Sequence, residues 1–360
     1  MQSIESVRKL DPWYYLPKPD SKSCSWLETP EGEVLRYLHP IVEDGASTVD
    51  RSLPVTVING AREGPLLLLL AGEHGNEYEN IVALQNHLID LAPGVMKGRV
   101  VAITCCSVDS YQNNIRVGHE DGQNLARCYP GRRNGCLTER VAWTLQHDFL
   151  GHRGRDKPDL MVALHTFGPT MIGPTMCGYN IYRESPVLNH AEREASLATG
   201  FELIWGHEFD PTHAAKSEIG VDDSGRTALY AAFLAGVPAI YWETTWGMGG
   251  EDEYRHGLLR IMKHLGMLEG ENDLLPSRRH IVTMGHGSGN LASHNRTPVN
   301  GLWVPIVGIW DEVKEGDVLG IVRDLFGRTL QEIRSQRRGV VIGLPKMQYI
   351  RKGMQCGVVV

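Results

Sequence analysis

Leu66-Leu67-Leu68-Leu69-Leu70-Ala71-Gly72-Glu73-His74-Gly75-Asn76-Glu77 joins an unbroken apolar run to a polar loop with two glycines. The run is bounded by Gly64-Pro65 and Gly72 and reads as a buried strand. Beyond the loop, Ile81, Leu84, Leu88 and Leu91 share one face at helical spacing. Strand, polar loop and helix therefore follow one another within about 26 residues, 66–91. Upstream, 55–58 is β-branched and closes on the turn signal Asn59-Gly60. Downstream, 98–106, 159–164 and 239–242 read as strands, and 138–150, 187–199, 227–235 and 251–265 as helices. The last two helices end at Gly236 and before Gly266. Such alternation predicts an α/β domain whose sheet is mostly parallel.

In sheets of this kind, ligands bind beyond the carboxyl ends of the strands. His74 and Glu77 follow the first strand, His165 follows 159–164, and Glu243 follows 239–242. After about residue 277 the texture changes. Residues 302–360 are rich in Val, Ile and Gly, with frequent turn signals and no obvious helix, and predict a small all-β module. The expected division is 1–278 for the α/β unit and 279–360 for the β module.

Composition narrows the function. Of the 360 residues, 42% are hydrophobic and 22% charged, as in an ordinary globular protein. The net charge of -7 argues against a nucleic-acid partner, while a local arginine cluster could still hold an anion. No apolar run approaches the ~20 residues of a membrane span. The start, Met1-Gln2-Ser3-Ile4-Glu5, has no charged segment leading into an apolar one. Seven scattered cysteines suggest neither a disulfide framework nor a cysteine-based zinc site. The expectation is a cytoplasmic protein with reduced thiols and no membrane partner.

His74 and Glu77, three residues apart on a loop, can both reach one zinc ion, and His165 suits a third place. Two nitrogens and a carboxylate leave a position open for water. A surface histidine beside a glutamate is also common, so the pair alone decides nothing. Glu243, directly after an apolar strand, reads equally as a helix cap, an ion-pair partner or a catalytic base. Arg116 and Arg127 lie in a polar, glycine-punctuated segment, where arginines could grip a carboxylate or simply face solvent.

Taken in order, Gly72-Glu73-His74-Gly75-Asn76-Glu77, Asp121-Gly122-Gln123-Asn124-Leu125-Ala126-Arg127-Cys128-Tyr129-Pro130-Gly131, Leu164-His165-Thr166 and Trp242-Glu243 resemble the motifs of the succinylglutamate desuccinylase/aspartoacylase family. That family is part of the zinc carboxypeptidase superfamily, and the resemblance extends over roughly residues 55–360. It implies a mixed sheet flanked by helices, one Zn2+ per chain held by His74, Glu77 and His165, and Glu243 as general base and acid. It further implies that Arg127 and Asn124 bind substrate, and that Arg116 polarises the scissile carbonyl. The implied reaction is cleavage of an amide in a small, carboxylate-bearing substrate such as an N-acyl amino acid. The C-terminal module would resemble a biotinyl-carrier fold, wall the active site and offer a surface for self-association.

Two departures stand out. Ala126 replaces the asparagine that the family keeps beside Arg127, and an alanine cannot donate a hydrogen bond to a carboxylate. Trp246 brings bulk where many relatives keep small residues. Residues 205–226, with His207, His213, Asp222, Asp223 and Arg226, form a candidate specificity loop. A carrier role for the β module is not expected, because its candidate tip 324–328 lacks a lysine and Lys346 lies after a later strand. A metallocarboxypeptidase and a catalytically silent metal-binding protein are the competing readings.

Overall fold

The computed structural model describes residues 28–42, 51–150, 157–209, 226–247, 249–271, 279–285 and 294–360. The strands are β1 (Val34–Pro40), β2 (Ser52–Asn59), β3 (Arg62–Leu70), β4 (Lys97–Ile103), β5 (Leu160–Leu164), β6 (Met171–Ile172), β7 (Met176–Ile181), β8 (Leu203–Glu208), β9 (Ala239–Glu243) and β10 (Arg279–Thr283). The helices are α1 (Tyr78–Asp90), α2 (Val108–Gln112), α3 (Leu137–Thr144), α4 (Pro186–Ala198), α5 (Ala228–Ala235) and α6 (Glu251–His264). A π-helical turn, Leu145–Leu150, continues α3, so the single helix expected at 138–150 is two segments.

Nine strands form one sheet in the order β1-β2-β4-β3-β5-β9-β7-β8-β10. It is mixed, yet mostly parallel as expected, with five of its eight pairings parallel. β4, β3, β5 and β9 run parallel to one another, and so do β7, β8 and β10. The two blocks meet antiparallel at β9 and β7. β2 and β3, joined at Asn59-Gly60, are not neighbours, because β4 lies between them.

The leucine run explains the layering. Leu67 and Leu69 face the cluster built with Ile81, Leu84 and Leu88 of α1 and Tyr254, Leu258 and Ile261 of α6. Leu66, Leu68 and Leu70 face the opposite cluster, with Val141 of α3 and Ala228, Ala231 and Ala232 of α5. Alternate side chains of a strand point to opposite faces, so a continuous apolar run is what a sheet covered on both sides requires. Each such leucine contributes about 1.5–3 kcal/mol by burial.

The remaining strands are β11 (Gly301–Pro305), β12 (Glu312–Val313), β13 (Val318–Arg323), β14 (Thr329–Arg334), β15 (Gly339–Pro345), β16 (Tyr349–Ile350) and β17 (Val358–Val359). They form two small sheets, β14-β13-β11-β16 and β12-β15-β17, around a core centred on Trp303. β6 pairs with β15, and Met176, Leu203 and Trp205 pack with Val340, Ile342 and Val358, seating the module on the large sheet. β10 belongs to the large sheet. We therefore propose the two-part division with its boundary moved from 278/279 to beyond Thr283. Among the described residues six cysteines are free, and no helix is long and apolar enough to cross a membrane.

Candidate active site

The carboxyl ends of β3, β5 and β9 are adjacent, and each passes directly into polar residues. Behind β3 the chain turns at Gly72, whose φ of +64° is a left-handed conformation that side chains disfavour. Gly75 lies against α2 so closely that a Cβ would stand 2.0 Å from the Ser110 carbonyl carbon. The loop is thus pressed onto α2, and His74 and Glu77 turn inward to buried positions. After β5, the His165 amide donates to the Trp242 carbonyl at 2.8 Å, and Tyr254 Oη donates to the His165 carbonyl at 2.5 Å.

One ligand atom from each of His74, Glu77 and His165 lies within 4.8 Å of the others. His74 Nδ1 is 2.8 Å from Glu77 Oε1, and His165 Nδ1 is 3.3 Å from Glu77 Oε2. The Thr166 amide also donates to Glu77 Oε2, at 3.0 Å. The far nitrogens have their own partners: His74 Nε2 faces Asn124 Oδ1 at 3.1 Å, and His165 Nε2 faces Glu73 Oε2 at 3.0 Å. Burial, helped by the Arg116 charge, lowers the His74 pKa to about 4. Burial would lower His165 as well, but the carboxylates of Glu73 and Glu77 override it and hold its pKa at about 10. Burial opposes ionisation of Glu77, yet His74, His165 and Arg116 keep its carboxyl well below the usual range.

Neutral His74 has one N–H for the two oxygens that its nitrogens face. A cation among Nδ1 of His74, Nδ1 of His165 and the Glu77 carboxylate would resolve that surplus of lone pairs. Two imidazoles and one carboxylate are also a catalytic zinc donor set. The residues therefore fit a zinc ion.

Glu243 ends β9, and its Oε2 is buried without a hydrogen-bond partner among the described residues. Burial pushes its carboxyl up to about 7, with His165, Arg116 and Arg127 pulling it down and Glu77 pushing it up. A carboxyl balanced near neutrality can both accept and return a proton. Arg116 reaches the cluster through Nη1, 2.8 Å from Glu77 Oε1. Arg127 sits on the short helical turn Leu125–Arg127 and donates from Nη1 to the Ala126 carbonyl at 2.8 Å. Asn124 caps that turn: its Oδ1 accepts from the Ala126 amide at 3.1 Å besides facing His74. Asn124, expected to bind substrate, thus has its side-chain oxygen engaged within the protein. His207 is buried on β8, and Arg226 donates to the Cys128 and Tyr129 carbonyls. His213, Asp222 and Asp223 lie outside the described residues.

Trp246 forms part of the rim. Its Nε1 donates to the Asn76 carbonyl of the ligand loop at 2.6 Å. Lys346, from the β module, places Nζ 5.2 Å from the Trp246 ring centroid and 3.3 Å from its carbonyl oxygen.

Residues 63–204 match the sequence profile of the succinylglutamate desuccinylase/aspartoacylase catalytic domain. That match spans 142 of the 360 residues, so the chain carries a segment similar to that family's catalytic domain. It is 27% identical over 311 residues to the N-alpha-acetyl-L-2,4-diaminobutyric acid deacetylase of Halomonas elongata, covering 84% of this chain and 83% of that protein. Among solved structures it resembles a succinylglutamate desuccinylase/aspartoacylase from Rhodobacter sphaeroides, with a TM-score of 0.75, 21% identity, and 96% and 98% of the two chains covered. The product-bound ectoine utilization protein EutE (DoeB) of Ruegeria pomeroyi superposes with a TM-score of 0.72 and 24% identity, covering 92% and 96%. The family name denotes deacylases, and the fold agrees over nearly the whole chain. Reading the sequence by this family's motifs left Glu73, Tyr129 and Tyr254 without roles. Glu73 carried a signal nonetheless, as a carboxylate set between an apolar strand end and a histidine.

Proposed function

We propose that the protein is a zinc-dependent deacylase that hydrolyses the amide bond of a small, carboxylate-bearing N-acyl amino acid. One juxtaposition supports this above all: the buried His74, Glu77 and His165 donors beside the enclosed, unpartnered Oε2 of Glu243. The similarity to a deacetylase of an acetylated amino acid favours deacylation over release of a C-terminal residue. Buried free cysteines accord with a cytoplasmic setting.

His74, Glu77 and His165 would hold the metal. When bound, zinc supplies Lewis acidity and makes water acidic enough to lose a proton near neutral pH. Glu243 Oε2 takes the proton of the attacking water and returns it to the leaving nitrogen. The Arg116 guanidinium, anchored on Glu77 through Nη1, has further N–H groups for the carbonyl oxygen as negative charge builds there. Arg127 binds the substrate carboxylate, and Trp246 bounds the acyl or amine pocket.

The test pairs elemental analysis with a hydrolysis screen of N-acetyl, N-succinyl and aromatic N-acyl amino acids against dipeptides. About one zinc per chain and cleavage of an N-acyl amino acid are expected. Metal-replete protein that holds no divalent ion, or that cleaves only dipeptides, would overturn the reading.

A further inference from the structure

The two histidines of the donor set are oriented by unequal partners. His74 Nε2 faces a neutral amide oxygen, that of Asn124, whereas His165 Nε2 faces a carboxylate, that of Glu73. Glu73 is 3% exposed. Burying a carboxylate is costly unless it is paired and hydrogen-bonded. Both its oxygens are engaged: Oε2 by His165 at 3.0 Å, and Oε1 by Tyr129 Oη, which donates at 2.5 Å. Tyr129 is itself fixed. Its carbonyl accepts from Arg226 Nε at 3.2 Å, its amide donates to the Arg226 carbonyl at 3.2 Å, and its ring is buried.

We propose that Glu73 is the positioning residue of the metal centre: it takes the Nε2–H of His165 and thereby presents Nδ1, on the Glu77 side, to the metal. The inference rests on the function proposed above and adds a residue to it. The His165 backbone is already pinned at its amide and carbonyl. What remains is rotation of the side chain and the choice of tautomer, and a carboxylate at Nε2 settles both. A negative partner also makes the imidazole a stronger donor than the amide opposite His74 can. Because Glu73 directly precedes His74, one turn of chain supplies a ligand and orients a second ligand from another strand.

The test is the rate at which zinc leaves the loaded protein into excess chelator. That rate depends on the loaded state alone, so protons competing for the empty site do not enter it. Glu73→Gln keeps the shape and an acceptor oxygen but removes the charge. Zinc should leave roughly 10- to 100-fold faster, the usual effect of losing a ligand's outer partner. The visible spectrum of the cobalt-loaded variant should shift as well. Tyr129→Phe, which frees one carboxylate oxygen, should move both readouts less and in the same direction. Melting of the metal-free proteins, followed by circular dichroism, establishes that each variant is folded. A folded Glu73→Gln protein with wild-type release and an unchanged cobalt spectrum overturns the inference. If that variant does not fold, unchanged readouts in Tyr129→Phe overturn it instead. Wild-type protein that takes up no metal sinks the proposed function and this inference together, whereas normal uptake with an indifferent Glu73→Gln sinks the inference alone.

Discussion

The two parallel blocks of the large sheet run in opposite directions, and each ends a strand on a buried histidine. β5 leads into His165, which is 8% exposed, and β8 carries His207, which is 7% exposed. Their pKa values part company: His165 is held at about 10, and His207 is lowered to about 4 by burial alone. The difference lies in their neighbours. Glu73 and Glu77 both face His165. Among the described residues, the Nε2 of His207 meets the Tyr241 hydroxyl at 3.3 Å, and its Nδ1 is buried with no hydrogen-bond partner. The carboxylate next to His207, Glu208, is turned to Arg183 and to the Gly285 amide. Burial therefore favours the neutral imidazole, and the facing carboxylates reverse that preference at His165.

Four substitutions probe that contrast. His74→Ala should abolish zinc binding and hydrolysis together, while His207→Gln should leave the zinc content at the wild-type level; elemental analysis reads both. Loss of metal in His207→Gln would erase the distinction between the blocks. Glu243→Gln should lower kcat by about 10²–10⁴-fold with zinc retained. A smaller loss would assign the proton transfers to another group.

The third probe is pH. The folded-state pKa of His207 lies below the ordinary 6.5, so the unfolded chain takes up a proton that the folded chain refuses. Its contribution to stability is complete above pH 6.5 and is lost as pH falls from 6.5 towards 4. The slope is at most about 1.4 kcal/mol per pH unit. His87, buried and also near 4, acts in the same sense. Urea unfolding of His207→Gln across this window should show a shallower loss than the wild type, and an equal slope would contradict the assignment. The smallest effect is expected from Lys346→Met, which keeps most of the stem but removes the cation over Trp246. Such a contact is worth about 0.5–1 kcal/mol, so a two- to fivefold rise in KM at constant zinc content is expected.

Much of this was legible before any coordinates. The leucine run demanded cover on both sheet faces, and the positions of His74, Glu77, His165 and Glu243 after apolar strands placed them at one edge. Where the pairing direction reverses was not legible. A buried strand has the same apolar pattern whether its neighbour runs with it or against it, so the reversal between β9 and β7 left no local trace. Nor did the insertion of β4 between β2 and β3, since Asn59-Gly60 marks a turn but not which strands it separates. Glu73 and Tyr129 were hidden for a related reason: their roles come from contacts with His165 and with each other, and these span 92 and 56 residues of chain. His207 has the same local signature as His165, and only the missing carboxylates distinguish it.

The contact between Lys346 and Trp246 also bears on how the enzyme is made. Domains tend to fold in the order in which they are synthesised. His74, Glu77 and His165 precede Lys346, the lysine that braces the rim, by at least 181 residues, so they emerge well before it. The turn after β15, which carries Lys346, then closes the rim.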